Sequence, residues 1–254
     1  MINQIDIQDI VAIAKEAGTA IMQVYKKDFE VEYKQDNSPL TLADKKANDI
    51  IGDGLNQLSV NFPILSEEGK EVSYEDRNHW DYFWLVDPLD GTKEFVKKND
   101  EFTVNIALIH KDTPALGVVY APALDVCYWA KQDKGAFKDG QRLPLKTESQ
   151  RKTYKIVASR SHMSNETQAF IDAIYTSKEK ELISIGSSLK ICLVAEGEAD
   201  IYPRLGPTME WDTGAAHVIT NESGLKLKKY IFGESYQEHK YNKQDLLNQW
   251  FVVN

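Results

Sequence analysis

The stretch WLVDPLDGTKEF, Trp84 to Phe95, decides how this chain reads. Three apolar residues run into Asp87, followed by Pro88, Leu89, Asp90, Gly91 and Thr92. Such a run reads as a buried strand that finishes on a rigid platform carrying two carboxylates. Pro88 fixes one φ angle and removes an N–H, and Gly91 permits a backbone conformation that other residues resist. The turn can therefore aim Asp87 and Asp90 at one point, with the Leu89 carbonyl beside them. Carboxylate and carbonyl oxygens are the donors that a hard cation such as Mg²⁺ takes. If a helical turn starts beyond the platform, the N–H groups of Gly91, Thr92 and Lys93 face an anion. Alone, DxxDG is also the composition of a solvated turn, so the rest of the chain must decide.

Further acids stand at comparable places. Glu67 and Glu68 follow the short apolar run PILS, Asp212 follows Trp211 at the start of a helix, and Asp44 opens a helix after Thr41. Each has an ordinary reading: a surface turn for the glutamates, a helix cap for the two aspartates. GSSLK, Gly186 to Lys190, opens a helix with N–H and hydroxyl donors suited to an anion, though a cap at Ser187 would look the same. SRSH, Ser159 to His162, offers Ser161 and His162, a surface histidine being the plain alternative. Lys190 and Arg204 either offset a negative field or sit in exposed ion pairs.

Composition narrows the class. The chain has 254 residues, 42% of them hydrophobic and 27% charged, with a net charge of -9. That length buries a large core as one domain or two packed halves. The acidic balance argues against binding a nucleic acid polymer. No apolar run approaches the ~20 residues of a membrane span, and the acidic N-terminus does not resemble a secretory signal. Cys127 and Cys192 form no CxxC pair, which fits a reducing compartment without disulfides or a zinc site. The expected location is the cytoplasm. Both thiols read as small buried hydrophobes, and Trp80, Trp84, Trp129 and Trp250 as core or lid packing.

Periodicity predicts a helix over Ile7–Lys26, with Ile10, Ala14, Ala17, Ile21 and Val24 on one face. A strand at Phe29–Lys34, a helix from Leu42 to about Leu58, a short strand at Ile64–Leu65 and a polar loop to His79 follow. After Phe95, the segments FTVNIALI, ALGVVYAP, DVCYWAK and GAFKDG predict antiparallel hairpins punctuated by Gly, Pro and Asp. From about residue 150 the pattern alternates: strand KIVAS, helix from Ser164, strand ELISI, helix from Ser187, strand ADIYP, helix from Asp212. Two halves are expected, an α+β half over residues 1–150 with most of the acids and an α/β half over 151–254 contributing Asp212.

Taken together, DPLDGT, the downstream WDTGAA and the upstream SEE resemble the inositol monophosphatase superfamily of Mg²⁺-dependent, lithium-sensitive phosphatases, over essentially the whole chain. DNSPLTLAD, DGTKEF, EFTVNIALI, SRSH, GSSLKICLVAEGEADIYPRLGPTMEWDT and LLNQWFVV are similar to its 3'(2'),5'-bisphosphate nucleotidase branch. The resemblance implies an α+β fold, a layered αβαβα sandwich. It implies that Glu67, Asp87 and the Leu89 carbonyl bind one Mg²⁺, and that Asp87, Asp90 and Asp212 bind a second. Asp44 then lies close to a third, weaker metal and orients Thr92, which helps activate water together with Glu67. Leu89, Asp90, Gly91, Thr92 and Asp212 would surround the scissile phosphate. Ser161, His162, Gly186, Ser187 and Lys190 would meet the rest of a nucleotide bisphosphate. The implied reaction removes the 3'-phosphate of adenosine 3',5'-bisphosphate, and extends to its sulfated form, which links it to sulfur assimilation. Inositol monophosphate or fructose bisphosphate would suit the same metal site, and a non-enzymatic nucleotide- or metal-binding protein is the rival of another class. A haloacid dehalogenase type of phosphatase needs DxD, one residue shorter than D-P-L-D. A peripheral place at the inner membrane is compatible with the resemblance, and the sequence leaves the oligomeric state open.

Overall fold

The computed structural model describes residues 2–27, 31–33, 39–147, 151–158, 163–234 and 236–254. The first helix, α1 (Ile7–Tyr25), is capped by Asp6, whose side chain accepts the Gln8 N–H. Ile10, Ala14, Ala17, Ile21 and Val24 are all buried on one face. A two-stranded ribbon, β1 (Val31–Tyr33) with β2 (Pro39–Thr41), leads into α2 (Leu42–Asn56). Then come β3 (Ile64–Ser66), the single turn α3 (Tyr74–Arg77), β4 (Tyr82–Asp90) and the short α4 (Thr92–Val96). Hairpins follow through β5 (Thr103–His110), β6 (Thr113–Ala121), β7 (Val126–Lys131), β8 (Gly135–Lys138) and β9 (Gln141–Arg142).

Strands β3 to β9 form one seven-stranded sheet in chain order. Only the β3–β4 pair is parallel. β5 is buried from Thr103 to Ile109 and β4 from Phe83 to Leu89. A sheet covered on both faces needs such continuous apolar strands rather than a polar–apolar alternation. Trp84, Val86, Val104, Ile106 and Leu108 pack against α1 and α2 through Ile10, Ile21, Ala47 and Ile51. Phe83, Leu85, Ala107 and Ile109 face the other way.

The second part supplies β10 (Tyr154–Ala158), α5 (Asn165–Ala173), β11 (Lys180–Ser184), α6 (Leu189–Ala195), β12 (Tyr202–Arg204), α7 (Glu210–Glu222), β13 (Leu227–Lys229), β14 (Gln237–Glu238) and β15 (Phe251–Val253). β10 and β11 are parallel, and a four-stranded sheet runs β12-β15-β13-β14. The Val157 N–H donates to the Ile201 carbonyl at 2.8 Å and ties the two together. Ala215, Val218 and Ile219 of α7 and Ile191 and Val194 of α6 share the core of the first sheet's second face, which also takes in Tyr202, Phe251 and Val253. α5 closes the far side over Ile156, Ile171, Ile201 and Val252. The layers run helix, sheet, helix, sheet, helix, the αβαβα order expected. The boundary expected near residue 150 falls beside residues 148–150, outside the described ones.

Two glycines seat α7 on the large sheet. A Cβ on Gly117 of β6 would lie 2.4 Å from the Ala215 carbonyl oxygen, and one on Gly214 would lie 3.0 Å from a Leu85 methyl. The helix backbone therefore rests directly on the strands.

Several expectations need correction. The loop before His79 contains α3, because Ser73 caps it by accepting the Asp76 N–H at 3.1 Å. Arg77 in that turn is 2% exposed rather than solvated. Its guanidinium donates to Asn242 Oδ1 at 2.7 Å and to the Lys243 carbonyl at 2.7 Å, which gives the two terminal nitrogens of the buried charge their partners. The helix expected from Ser187 begins at Leu189, since Ser187 has φ 51°. The strand read at ADIYP is confined to Tyr202–Arg204. The tail LLNQWFVV provides an inner strand, β15. Trp250 is not core; it is 36% exposed beside an apolar groove. Cys127 and Cys192 are buried free thiols, and burial pushes both pKa values up, that of Cys127 to about 12. Among the described residues no helix is long and apolar enough to cross a membrane.

Candidate active site

The pairing of β4 with β5 slips between Asp87, opposite Asn105, and Asp90, opposite Thr103. Pro88 and Leu89 stand against the single Val104, so β4 carries one extra residue, a β-bulge. Strand residues three apart point to opposite faces, and the extra residue returns Asp90 to the face of Asp87. Pro88 suits this place because a bulged residue makes no ladder bond, so its missing N–H costs nothing. The platform is thus part of the strand itself, which runs through Asp90. The Leu89 N–H donates to Asp87 Oδ1 at 3.1 Å. Gly91 follows with φ 91° and caps α4. A Cβ there would lie 3.1 Å from the Glu101 carbonyl oxygen, so glycine serves both the turn and the close approach.

Two further acids are third residues of helices. Asp44 Oδ2 accepts the Thr41 N–H at 2.7 Å and the Thr41 hydroxyl at 2.6 Å, closing a capping box at α2. Its other oxygen, Oδ1, lies 3.2 Å from Thr92 Oγ1. The same hydroxyl is 3.2 Å from the Leu89 carbonyl oxygen, and its one proton serves either acceptor. Asp212 Oδ2 accepts the Met209 N–H at 2.8 Å at the start of α7. The cap reading for these aspartates and the functional reading are therefore compatible. In Asp44 one oxygen holds the helix end while the other reaches Thr92; in Asp212 one oxygen caps while the side chain also joins the cluster on β4.

Oxygens of Asp87, Asp90 and Asp212 lie within 4.8 Å of one another. The Glu67 N–H donates to the Val86 carbonyl at 3.1 Å, which places Glu67 alongside the end of β4. Burial pushes the Asp87 carboxyl well above the usual range, and the charges of Glu67, Asp90, Asp212 and Asp44 push it further. Burial and the Asp90 charge raise Asp212 to about 8. Asp44 is raised by burial, against the bonds from Thr41. An all-oxygen set of crowded carboxylates suits hard divalent cations.

This crowding has a consequence for the metal-free protein. A carboxyl whose pKa is raised by folding holds its proton more tightly in the native state, so stability falls as pH rises from the unfolded value, near 4, to the folded one. The melting temperature of chelator-treated protein should therefore fall between pH 5 and pH 8, the value to which Asp212 is raised. The upward shift in melting temperature on adding Mg²⁺ should be larger at pH 8 than at pH 6. Thermal melts at both pH values check this, and an equal Mg²⁺ response would contradict it.

A cleft of ≈ 240 Å³ opens beside the cluster, lined among others by Asp90, Gly91, Gly186, Ser187, Lys190 and Arg204. The Gly186 N–H donates to Glu101 Oε2 at 2.8 Å, and a Cβ on Gly186 would lie 2.7 Å from the Glu101 carbonyl oxygen. Burial lowers the pKa of the Lys190 ammonium; the Asp90 charge opposes this and the Arg204 charge adds to it. Arg204 donates to the Pro207 carbonyl at 2.6 Å, while its buried Nε has no partner. Lys190 and Arg204 thus line the cleft next to the acids, in place of the exposed ion pairs considered from sequence. Ser161 and His162 lie outside the described residues. Sequence reasoning missed Asn105 and Ser188, both bonded to Asp90. The signal for Asn105 was a lone amide in the apolar strand FTVNIALI, where a buried polar group needs a partner.

The profile of the inositol monophosphatase family matches residues 3–244. The chain belongs to that family. Its metal-dependent chemistry agrees with the acidic cluster on β4 and α7. Among curated relatives of this inositol monophosphatase family member, the 3'(2'),5'-bisphosphate nucleotidase CysQ of Salmonella typhimurium is 49% identical over 222 residues, 86% of this chain and 88% of the relative. The enzyme of the same name from Haemophilus influenzae is 35% identical and spans 99% of this chain and 93% of its own. The crystal structure of CysQ from Bacteroides thetaiotaomicron, a bacterial member of the family, superposes with a TM-score of 0.87 at 43% identity, covering 99% of this chain and 97% of the other.

Proposed function

We propose that the chain is a Mg²⁺-dependent phosphatase that converts adenosine 3',5'-bisphosphate to AMP and phosphate, and that it acts also on the 5'-phosphosulfate analogue. The observation that carries the reading is the juxtaposition of Asp87, Asp90 and Asp212 with a cleft holding Lys190 and Arg204. A substrate with one phosphate at the acids and a second anionic group some distance away matches that pairing. The nucleotidases at 35–49% identity act as support for the nucleotide over an inositol phosphate.

Glu67, Asp87, the Leu89 carbonyl, Asp90 and Asp212 would hold two Mg²⁺, whose positive charge gathers the phosphate and stabilises the entering and leaving oxygens of an in-line displacement. The chain's own groups then position the nucleophile. Thr92 Oγ1 donates to Asp44 Oδ1, which leaves its lone pairs to accept a hydrogen bond from the attacking water. Glu67 receives that water's other proton. Water oxygen bonds to phosphorus as the 3'-oxygen leaves, and one proton ends on the leaving oxygen, so no covalent phosphoenzyme is needed. N–H groups of Gly91 and Thr92, at the start of α4, are free of intrahelical acceptors and face the phosphate. Ser161 and His162 contact the nucleotide in this reading, and Gly186, Ser187 and Lys190 surround its remaining anionic group. The enzyme acts in the cytoplasm, with a peripheral place at the membrane as a further option for fractionation to test.

The test is phosphate release from adenosine 3',5'-bisphosphate and from inositol 1-phosphate, side by side, with and without Mg²⁺. Mg²⁺-dependent release favouring the nucleotide by at least about tenfold, the worth of ~1.4 kcal/mol of differential transition-state binding, is expected. Preference for inositol 1-phosphate would overturn the substrate, and release unaffected by chelation would overturn the metal.

A further inference from the structure

Asn105 and Ser188 reach Asp90 from two different elements of the fold and bond to each other as well. Asn105 projects from β5, directly across the bulge from Asp87, and is 1% exposed. Ser188 stands at the start of α6 and is 3% exposed. The Ser188 hydroxyl lies 2.7 Å from Asp90 Oδ2 and 2.6 Å from the backbone carbonyl of Asp212. The Asn105 amide nitrogen donates to Ser188 Oγ at 2.9 Å and to Asp90 Oδ2 at 3.3 Å. Thr103 Oγ1 stands 3.5 Å from the same carboxylate oxygen. One oxygen of Asp90 is thus surrounded by donors from three side chains, which fixes the rotation of the carboxylate. The same serine hydroxyl touches the main chain of the residue that brings the third carboxylate.

The amide of Asn105 has an orientation that stability alone would not choose. Its Oδ1 is buried without a partner. An unpaired buried acceptor is unfavourable, but the flipped amide would set that oxygen against Asp90 and remove a donor from Ser188. The carboxylate therefore dictates the orientation, and the orphaned oxygen is its consequence.

We propose that Asn105 and Ser188 are positioning residues which set Asp90 against Asp212, and so fix the geometry in which this site takes its divalent cations. The inference rests on the two-cation reading above. Groups behind metal ligands typically alter metal affinity or activity by about 10–100-fold. Asn105 is not among the residues that line the cleft; Ser188 lines it and acts here through its bond to Asp90.

The experiment is calorimetric titration of Mg²⁺ into substrate-free protein, alongside kinetics at varied Mg²⁺ and varied substrate. Wild type, Ser188→Ala, Asn105→Leu and Asn105→Asp are compared with Ser164→Ala, which removes the cap at Thr167 on the distant α5. Ser188→Ala and Asn105→Leu should weaken Mg²⁺ binding by about tenfold or more, raise the Mg²⁺ needed for half-maximal rate in parallel, and leave the substrate KM at saturating Mg²⁺ within about twofold. Asn105→Asp, which replaces donors by a carboxylate facing Asp90, should bind Mg²⁺ differently from Asn105→Leu. Ser164→Ala should lower the melting temperature while keeping the Mg²⁺ affinity. Wild-type Mg²⁺ affinity in both Ser188→Ala and Asn105→Leu overturns the proposal, as does equal weakening in Ser164→Ala. Should one variant fail to fold, the other still decides. Mg²⁺ binding without nucleotidase activity would overturn the proposed substrate and leave this inference standing; wild-type protein that takes up no Mg²⁺ would overturn the inference itself.

Discussion

Replacing Asp87 by asparagine is expected to cut phosphate release by about a thousandfold and, in the same protein, to raise the melting temperature of the metal-free form. The two effects share one cause. Asp87 is 1% exposed, and Glu67, Asp90, Asp212 and Asp44 all act to disfavour its charge. Without cations that arrangement is a stored repulsion. Asparagine keeps the volume and keeps an oxygen to accept the Leu89 N–H, so the bulge should survive. Replacing an uncompensated buried charge by a neutral group is worth about 1–3 kcal/mol. For a chain of this length each kcal/mol moves the melting temperature by about 2–4 °C. The gain should shrink toward acid pH, where taking up a proton relieves the repulsion on Asp87 in the wild type. Turnover should fall by about a thousandfold, since cation stabilisation of the transition state is worth several kcal/mol and each ~1.4 kcal/mol is a factor of ten. Melts in chelator at pH 8 and pH 5, together with phosphate release, check both halves. A metal-free variant that melts below wild type at pH 8 would sink the electrostatic account; one that keeps a tenth of wild-type turnover would remove Asp87 from the ligand set.

That opposition between stability and activity explains which parts of the site were legible in the sequence. Asp87, Asp90 and Gly91 stood out because an apolar strand has no structural use for a carboxylate pair, and a local rule broken without a packing reason marks function. Asp44 and Asp212 were less distinct. Each does ordinary helix-end work with one oxygen, so the local pattern read as capping and only the family resemblance pointed to a further role. The hairpins from β5 to β8 were readable from alternating apolar runs and turn residues. What failed was long-range. The burial of Arg77 depends on carbonyls some 165 positions away, at Asn242 to Gln244, and no local pattern announces them. β15 was hidden because three residues carry too little periodicity to identify a strand. Ser188 was passed over because its partners, Asp90 and Asp212, meet only when α6 packs beside α7. The bulge itself was invisible: it is a property of the β4–β5 register, and only the pairing shows that Asp87 and Asp90 share a face.

The seat of α7 carries the second large effect. Gly117→Ala is expected to destabilise the fold and to reduce turnover although Gly117 touches no ligand. A Cβ at Gly117 would stand 2.4 Å from the Ala215 carbonyl oxygen, 2.8 Å from its Cα and 2.6 Å from a Val218 methyl. Two of those atoms are helix backbone, which cannot rotate away as a side-chain tip can. The helix must lift from the sheet or tilt, and its first turn carries Asp212, three residues before Ala215. Overpacking of this kind costs about 1–3 kcal/mol. Misplacement of a reacting group by about 1 Å costs up to about a hundredfold in rate. Gly52→Ala provides the contrast. It lies within α2, and a Cβ there meets nothing within 4 Å. It should stabilise by about 0.5–1 kcal/mol through helix propensity alone and leave turnover unchanged. Chemical denaturation and steady-state kinetics on both variants separate loss of stability from displacement of Asp212. If Gly117→Ala loses stability yet turns over like wild type at saturating Mg²⁺, the close seat of α7 serves only the core. If its Mg²⁺ requirement rises with its instability, the absence of one methyl group on β6 is what brings the third carboxylate to the two on β4.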